Sequence, residues 1–460
     1  MKNERIPVTP TFQAGSAKAN ITPPLTIPYL GFEPRHALFH GVHDPLYARA
    51  VALDSGATQA ILIAADSIGF SNAILGERRN FTAEVRARIE AQTGVPAANI
   101  MLTASHAHST PETIHLRRLL DTPAAAPWLE VLIDQLVSAA VMAFARRKPS
   151  RLTVGAGEVQ GLSRHRRLLG SDGRIASGPE QTVAGGRPAG PIDPQVGVLL
   201  LEALDGSECA VLANFACHPV TVQVQPLVSA DFPGVAMELV EQTLPGCAAS
   251  LFLQGACGNL NPIRNTTDFD DVARYGLMLG GEAIKVAAQL SAPATPPQPV
   301  VLQVRSEIMT LAVRDLPERG PAQQAFDEAT AHLATAHTEA DRQHWRRQQR
   351  VAEEALVLID RGTDPIPAEV QVLRLGDVGL VALPGEPFVE LGLAIKQRSP
   401  LPHTFVIGYA NDWIGYLTTP EAWQQGGYEV GPGPWTRVGP AGGTQLVAKA
   451  LELLQLVSGG

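Results

Sequence analysis

Cysteine is scarce in this chain of 460 residues. Cys209, Cys217, Cys247 and Cys257 are all it has, and their irregular spacing offers neither a disulfide framework nor a Cys-x-x-Cys pair of the structural-zinc kind. Aromatic residues make up only 5% of the chain, which leaves little with which to anchor at a bilayer. Nowhere do about 18 apolar residues run together, and no apolar stretch follows the charged start Met1-Lys-Asn-Glu-Arg-Ile-Pro7. A soluble, unexported, cytoplasmic protein with no stable membrane insertion is expected. Excess positive charge is lacking too: the net charge of -9 argues against nucleic acid or an anionic membrane as the main partner. What is present, 45% hydrophobic and 18% charged residues, suits a globular protein with a large core. A small-molecule substrate fits that composition, and homo-oligomerisation is left open.

The most informative feature is His106-Ala-His108, placed where an apolar run ends. If that run is a strand, residues i and i+2 share a face and the two imidazoles point the same way. Four other segments repeat the layout of a short apolar run followed at once by reactive or small polar residues. Ile61–Ala65 leads to Asp66, Val211–Cys217 to His218, Ser250–Gln254 to Gly255-Ala-Cys-Gly-Asn-Leu-Asn261, and Val378–Leu383 to Pro384-Gly-Glu386. In sheets with helical crossovers, ligands gather beyond the carboxyl ends of strands, so one shared pocket is expected. A catalytic zinc wants about three ligands from His, Asp or Glu and an open position for water, and His106, His218 and Glu386 supply that set.

Along the chain, residues 48 to 67 read as a hairpin turning at Asp54-Ser-Gly56, followed by a helix with Phe81, Val85 and Ile89 on one face and Gly94 as its stop. The strand-helix-strand order up to His106 implies a parallel pair, hence an α/β fold of mixed sheets with helical crossovers. A Gly-, Pro- and Arg-rich stretch from Arg164 to Pro194 reads as a long functional loop, and Ser291–Pro299 as a break. Residues 313 to 362 read as an inserted helical hairpin. Phe326, Ala329, Leu333, Ala336 and Ala340, then Trp345, Ala352, Leu356 and Ile359, mark its packing face. Thr444 to Val457 reads as a final helix, and no internal repeat is visible.

Ala14-Gly-Ser-Ala-Lys-Ala-Asn-Ile-Thr-Pro23, Ser105-His-Ala-His-Ser109, Cys217-His-Pro219, Ser229-Ala-Asp-Phe-Pro-Gly234, Gln254-Gly-Ala-Cys-Gly-Asn259, Pro384-Gly-Glu386 and Asn411-Asp-Trp-Ile-Gly-Tyr-Leu-Thr-Thr419 stand in one order over nearly the whole chain. Together they resemble the catalytic domain of the neutral/alkaline non-lysosomal ceramidases. The resemblance implies a zinc amidohydrolase domain over residues 12 to 457, preceded by an extension over 1 to 11. It implies metal ligands at His106, His218, Glu386 and Tyr416, with His108 touching the substrate or shuttling protons and Arg164 holding the substrate. His43 and Asp66 are weaker candidates for places in or behind the pocket.

The sequence departs from the family in its glycine loop, Gly258-Asn-Leu-Asn-Pro262, where the family's serine is Asn261 and its aspartate Asn259. Asn259 is assigned to substrate binding. Asn261 offers no hydroxyl nucleophile but can donate a hydrogen bond to an oxyanion. A soluble substrate cleaved at an amide bond by metal-activated water is therefore expected. Lactone or ester hydrolysis at the same zinc is an alternative, as are a thiol mechanism through Cys257 with His218 as base and a binding module without catalysis.

Overall fold

The computed structural model describes residues 12–29, 37–175, 186–223, 225–263, 268–291 and 299–459. The expected extension over 1 to 11, the middle of the Arg164–Pro194 loop and most of the Ser291–Pro299 break lie outside the described residues.

Eight strands build the main sheet. They are β1 (Gln13–Asn20), β2 (Tyr47–Asp54), β3 (Gln59–Ala65), β4 (Ile100–Ala104), β5 (Lys148–Glu158), β6 (Gln195–Ala203), β7 (Cys209–Phe215) and β8 (Leu251–Gln254), in the order β8-β7-β6-β5-β1-β2-β3-β4. Its inner pairs are antiparallel, whereas the outermost pairs, β3 with β4 and β7 with β8, are parallel. Parallel neighbours need a crossover, and helices fill those connections. Of α1 (Phe81–Thr93), α2 (Ala125–Ala145), α3 (Asp231–Thr243) and α4 (Phe269–Leu290), α1 joins β3 to β4 and α3 joins β7 to β8. Asn80 caps α1 by accepting from Ala83 N at 2.8 Å, and Gly94 ends it in the left-handed conformation at φ 75°.

A second sheet has β9 (Leu302–Leu311), β10 (Ile366–Leu375), β11 (Val378–Ala382) and β12 (His403–Ile407) in that order, with β11 and β12 parallel. The period of two in the main sheet explains how it is buried on both faces. Leu199, Leu201, Leu212 and Leu253 point to the layer shared with Leu373, Leu380 and Phe405 of the second sheet. Their neighbours Val198, Leu200, Val211 and Phe252 point to Phe232 and Val240 of α3 and Leu279 of α4. Truncating one of these leucines to alanine should cost about 2–5 kcal/mol. Polar ties then fix the two sheets in register. Asn214 Nδ2 donates to the carbonyls of Leu253 and Val406, each at 2.9 Å, and Thr103 Oγ1 donates to Gly408 O at 2.9 Å. They bring the loops after β11 and β12 to the ends of β4, β7 and β8.

Helix α2 is long and apolar enough to cross a membrane by length and composition, but half of its most apolar stretch is buried, and it packs on β1, β2 and α1. The expected helical hairpin is present as α5 (Arg319–Thr335) and α6 (Glu339–Asp360). Its buried line runs through Ala322, Ala329, Ala352, Ala355 and Leu358, while Phe326, Leu333, Leu356 and Ile359 are half-buried. Ala329 and Ala352 are buried as expected, whereas on α6 the buried line continues through Ala355 and Leu358 in place of Leu356 and Ile359. Helices α7 (Val389–Arg398), α8 (Pro420–Gln425) and α9 (Gly442–Ser458) follow.

Candidate metal and active site

Four strand ends converge. Beyond β4 stands His106, beyond β7 His218, beyond β8 the Cys257–Asn261 loop, and beyond β11 Glu386, whose short parallel ladder pairs Glu386 with Tyr416. β4 ends at Ala104 and His106 adopts φ 67°, so strand alternation does not align His106 with His108. The left-handed turn does so instead, leaving the rings perpendicular with their Nε2 atoms 3.2 Å apart. A non-glycine residue held there is strained by roughly 1–3 kcal/mol, and the surrounding contacts must sustain it.

Those contacts are backbone carbonyls. His106 Nδ1 lies 2.6 Å from Ile68 O, and His218 Nδ1 lies 2.7 Å from Cys257 O. A carbonyl only accepts, so in both rings Nδ1 carries the proton and Nε2 presents a lone pair. Both lone pairs face one carboxylate oxygen: Glu386 Oε2 is 3.4 Å from His106 Nε2 and 3.3 Å from His218 Nε2. The ligand atoms of His106, His108 and His218 all lie within 4.8 Å of one another. Burial is nearly complete for His106, His218 and Glu386. It lowers the His106 imidazole to about 3, with Glu386 opposing, and lowers His218 well below its ordinary range, with Arg166 adding to the effect. Neutral imidazoles and a carboxylate, all acceptors at short range, form no ion pair, and the imidazoles of His106, His108 and His218 are a group that could hold a metal. The two other contacts of Glu386 are donors, Trp413 Nε1 to Oε1 at 3.0 Å and Tyr409 OH to Oε2 at 3.4 Å, and Tyr409 also stacks on His106.

Tyr416 lies beside this group. Its hydroxyl accepts from Arg166 Nη2 at 2.8 Å, and while burial pushes the phenol up, Arg166 opposes that shift. Arg166 also donates from Nη1 to Asn261 Oδ1 at 3.2 Å, with His218 Nε2 at 3.4 Å from the same nitrogen. Glu429 fixes this guanidinium, accepting from Arg166 Nε at 2.9 Å and from Arg167 Nη1 at 2.6 Å. Sequence reasoning singled out Arg164 and missed Arg166 and Glu429. Arg164 pairs with Asn261 in the short ladder of Ser163–His165, and Arg166 is the first residue beyond that strand. A basic residue two places from Arg164 was the available signal, but Glu429 is 263 residues from Arg166 and gives none.

Other expected residues fall outside the centre. Asn259 is fully buried with both ends of its amide engaged: Oδ1 accepts from Val389 N at 2.9 Å, and Nδ2 contacts Glu390 Oε2 at 2.8 Å and His165 Nε2 at 3.1 Å. These contacts tie α7 to the loop. His43 pairs with Asp44 at 2.8 Å and stacks on Phe269, with ring centroids 3.6 Å apart. Asp66 binds Arg49 at 2.8 Å and Tyr47 N at 2.9 Å, so the group behind His106 is a carbonyl and not this carboxylate. The Cys257 thiol touches Tyr409 OH at 3.2 Å, and burial raises its pKa. His218 Nδ1 meets the Cys257 carbonyl, while the thiol meets Tyr409 OH.

Fold and centre together define an α/β protein with a candidate metal site at its strand ends. The chain belongs to the neutral/alkaline non-lysosomal ceramidase family: residues 12–261 match the model of that family's N-terminal part. It is similar to the neutral ceramidase of Pseudomonas aeruginosa, 25% identical over 489 aligned residues that cover 93% of this chain and 70% of the relative. A shorter stretch of 68 residues is 35% identical to the neutral ceramidase of Mycobacterium tuberculosis, covering 14% of this chain and 11% of that one. The crystal structure of the Pseudomonas enzyme superposes with a TM-score of 0.69 at 22% identity, over 97% of this chain and 75% of the other. A structure described as ceramidase complexed with C2 matches equally well, with a TM-score of 0.69 at 21% identity. The fold is that of these proteins, and the family is one of hydrolases.

Proposed function

We propose that this chain is a zinc-dependent hydrolase that cleaves the amide bond of a soluble N-acyl compound. The metal is held by His106, His218 and Glu386, with Tyr416 beside them. The observation that carries the reading is the facing of two imidazole lone pairs and a carboxylate oxygen at 3.3 to 3.4 Å with burial on every side. That donor set, borderline nitrogen plus one carboxylate, suits zinc. When bound, zinc supplies Lewis acidity and lowers the pKa of water towards about 7. The side chains account for the rest. His108, whose Nε2 is 3.2 Å from that of His106, would move the proton between water and leaving amine. Asn261 supplies an amide donor to the carbonyl oxygen as charge builds on it, and Arg166, steadied by Glu429, holds Asn261 and Tyr416 in place. Arg164, across the ladder from Asn261, is assigned to holding the substrate.

The amide bond is the expectation from relatives named as ceramidases, and the soluble form of the substrate rests on the sparse aromatic content of 5%. The test is a panel of N-acyl amides, lactones and esters presented to the purified protein with its zinc quantified. Amide turnover that a chelator removes and zinc restores is the expected result. Turnover indifferent to chelation, or a preference for vesicle-embedded long-chain ceramide over every soluble amide, contradicts it.

A further inference from the structure

Cys209 and Cys247 belong to no part of the centre just described. Cys209 opens β7, and Cys247 lies in the loop that leads from α3 to β8. The two residues are partners in an isolated parallel β-bridge, held by Cys209 N donating to Gly246 O at 3.1 Å. Side chains of parallel bridge partners emerge on the same side, and adjacent strands run about 4.8 Å apart, inside the Cα span of about 4.4–6.8 Å that a disulfide bridges. The approach is enforced by the backbone. Gly246 sits at φ +75°, and a Cβ there would come within 2.7 Å of Ser207 O, so the loop is pressed onto the start of β7. Both residues are free thiols in the structure.

We infer that Cys209 and Cys247 are a reversible disulfide site that reacts with small-molecule disulfides. The roles of the two thiols follow from their surroundings. Cys209 is half-exposed and Cys247 is buried. A hydrogen bond from Cys247 lowers the Cys209 pKa, and the same contact, together with burial, raises that of Cys247. An accessible, more acidic thiol beside a buried partner is the arrangement of an attacking and a resolving cysteine. With oxidised glutathione, the Cys209 thiolate attacks one sulfur and expels a glutathione thiolate, leaving a mixed disulfide. Cys247 then gives up its proton, attacks the Cys209 sulfur and expels the second glutathione. Two protein S–H bonds and one glutathione disulfide become one protein disulfide and two glutathione thiols. The bond would staple the loop before β8 to β7, the strand that leads to His218.

The test is to treat the folded full-length protein with oxidised glutathione, alkylate the remaining thiols and map the peptides by mass spectrometry. The expected product is a Cys209–Cys247 cross-link, with Cys217 and Cys257 alkylated only after unfolding and dithiothreitol restoring the starting mass. In Cys247→Ser, glutathione should stay attached to Cys209, and in Cys209→Ser Cys247 should remain reduced. Wild-type protein that keeps Cys209 and Cys247 reduced, or that retains glutathione on Cys209 without forming the cross-link, overturns the inference.

Discussion

Arg49 on β2 and Glu386 beyond β11 each stand in a buried polar cluster, and the two clusters balance their charges differently. Around Arg49 every charge has an opposite: Asp66 at 2.8 Å, Glu241 at 2.9 Å, and Lys18 on the far oxygen of Glu241 at 2.5 Å. Burial alone would lower the Arg49 pKa, but Asp66 and Glu241 outweigh it and raise it. Around Glu386 the nearest neighbours on one side are lone pairs of two neutral imidazoles. The first cluster is complete as a protein structure, tying β1, β2 and the residue after β3 to α3. The second turns acceptors toward one another, an arrangement that could hold a cation. Arg49, Asp66 and Glu241 are nearly as buried as His106, His218 and Glu386, so the arrangement of donors and acceptors, not burial, separates the two clusters.

That contrast can be broken most severely at His218. His218→Ala removes one ligand and should lower zinc affinity by about 10²-fold or more, with turnover lost alongside, as read by metal analysis of the purified variant. Asp66→Asn acts on the other cluster. It leaves Arg49 short of one buried partner and should destabilise the fold by about 3–5 kcal/mol, in zinc-loaded and zinc-free protein alike, as measured by denaturant unfolding. A loss seen only in the loaded protein would join the two clusters into one. Tyr416→Phe keeps the ring and removes the oxygen that Arg166 donates to. We expect kcat to fall by roughly 10²-fold with KM little changed and zinc retained, and steady-state kinetics near wild type would return Tyr416 to the core.

The smallest effect is the sharpest comparison. Glu386→Gln replaces an acceptor by an amide that can donate to the His106 or His218 lone pair, so the zinc-free variant should match or exceed wild-type stability by up to about 1 kcal/mol while losing zinc affinity. Thermal unfolding without zinc checks this, and a marked drop would mean that the carboxylate is satisfied by protein alone.

The parts of the fold that were legible from sequence are those with local periodicity. The hairpin of β2 and β3, α1 with its glycine stop, the strands that lead to His106, His218 and Glu386, and the α5–α6 hairpin all follow from apolar spacing and turn residues. The convergence of strand ends was legible too, because small or reactive residues follow each apolar run. What stayed hidden depends on distant partners. Trp413 orients Glu386, Glu429 fixes Arg166, and Asn259 is consumed by Val389 and Glu390, contacts across 27, 263, 130 and 131 residues that no local pattern encodes. The left-handed turn at His106 was hidden as well, since nothing in Ser105-His-Ala-His108 announces a positive φ.

The most direct measurement is the zinc content of the wild-type protein beside His106→Ala, both purified under the same conditions and dialysed free of loose metal. The cation-site account predicts one zinc per wild-type chain and a near-empty variant that still folds, because the Arg49 cluster and both sheets are untouched. Equal zinc in the two proteins, or none in wild type after zinc is supplied, contradicts it.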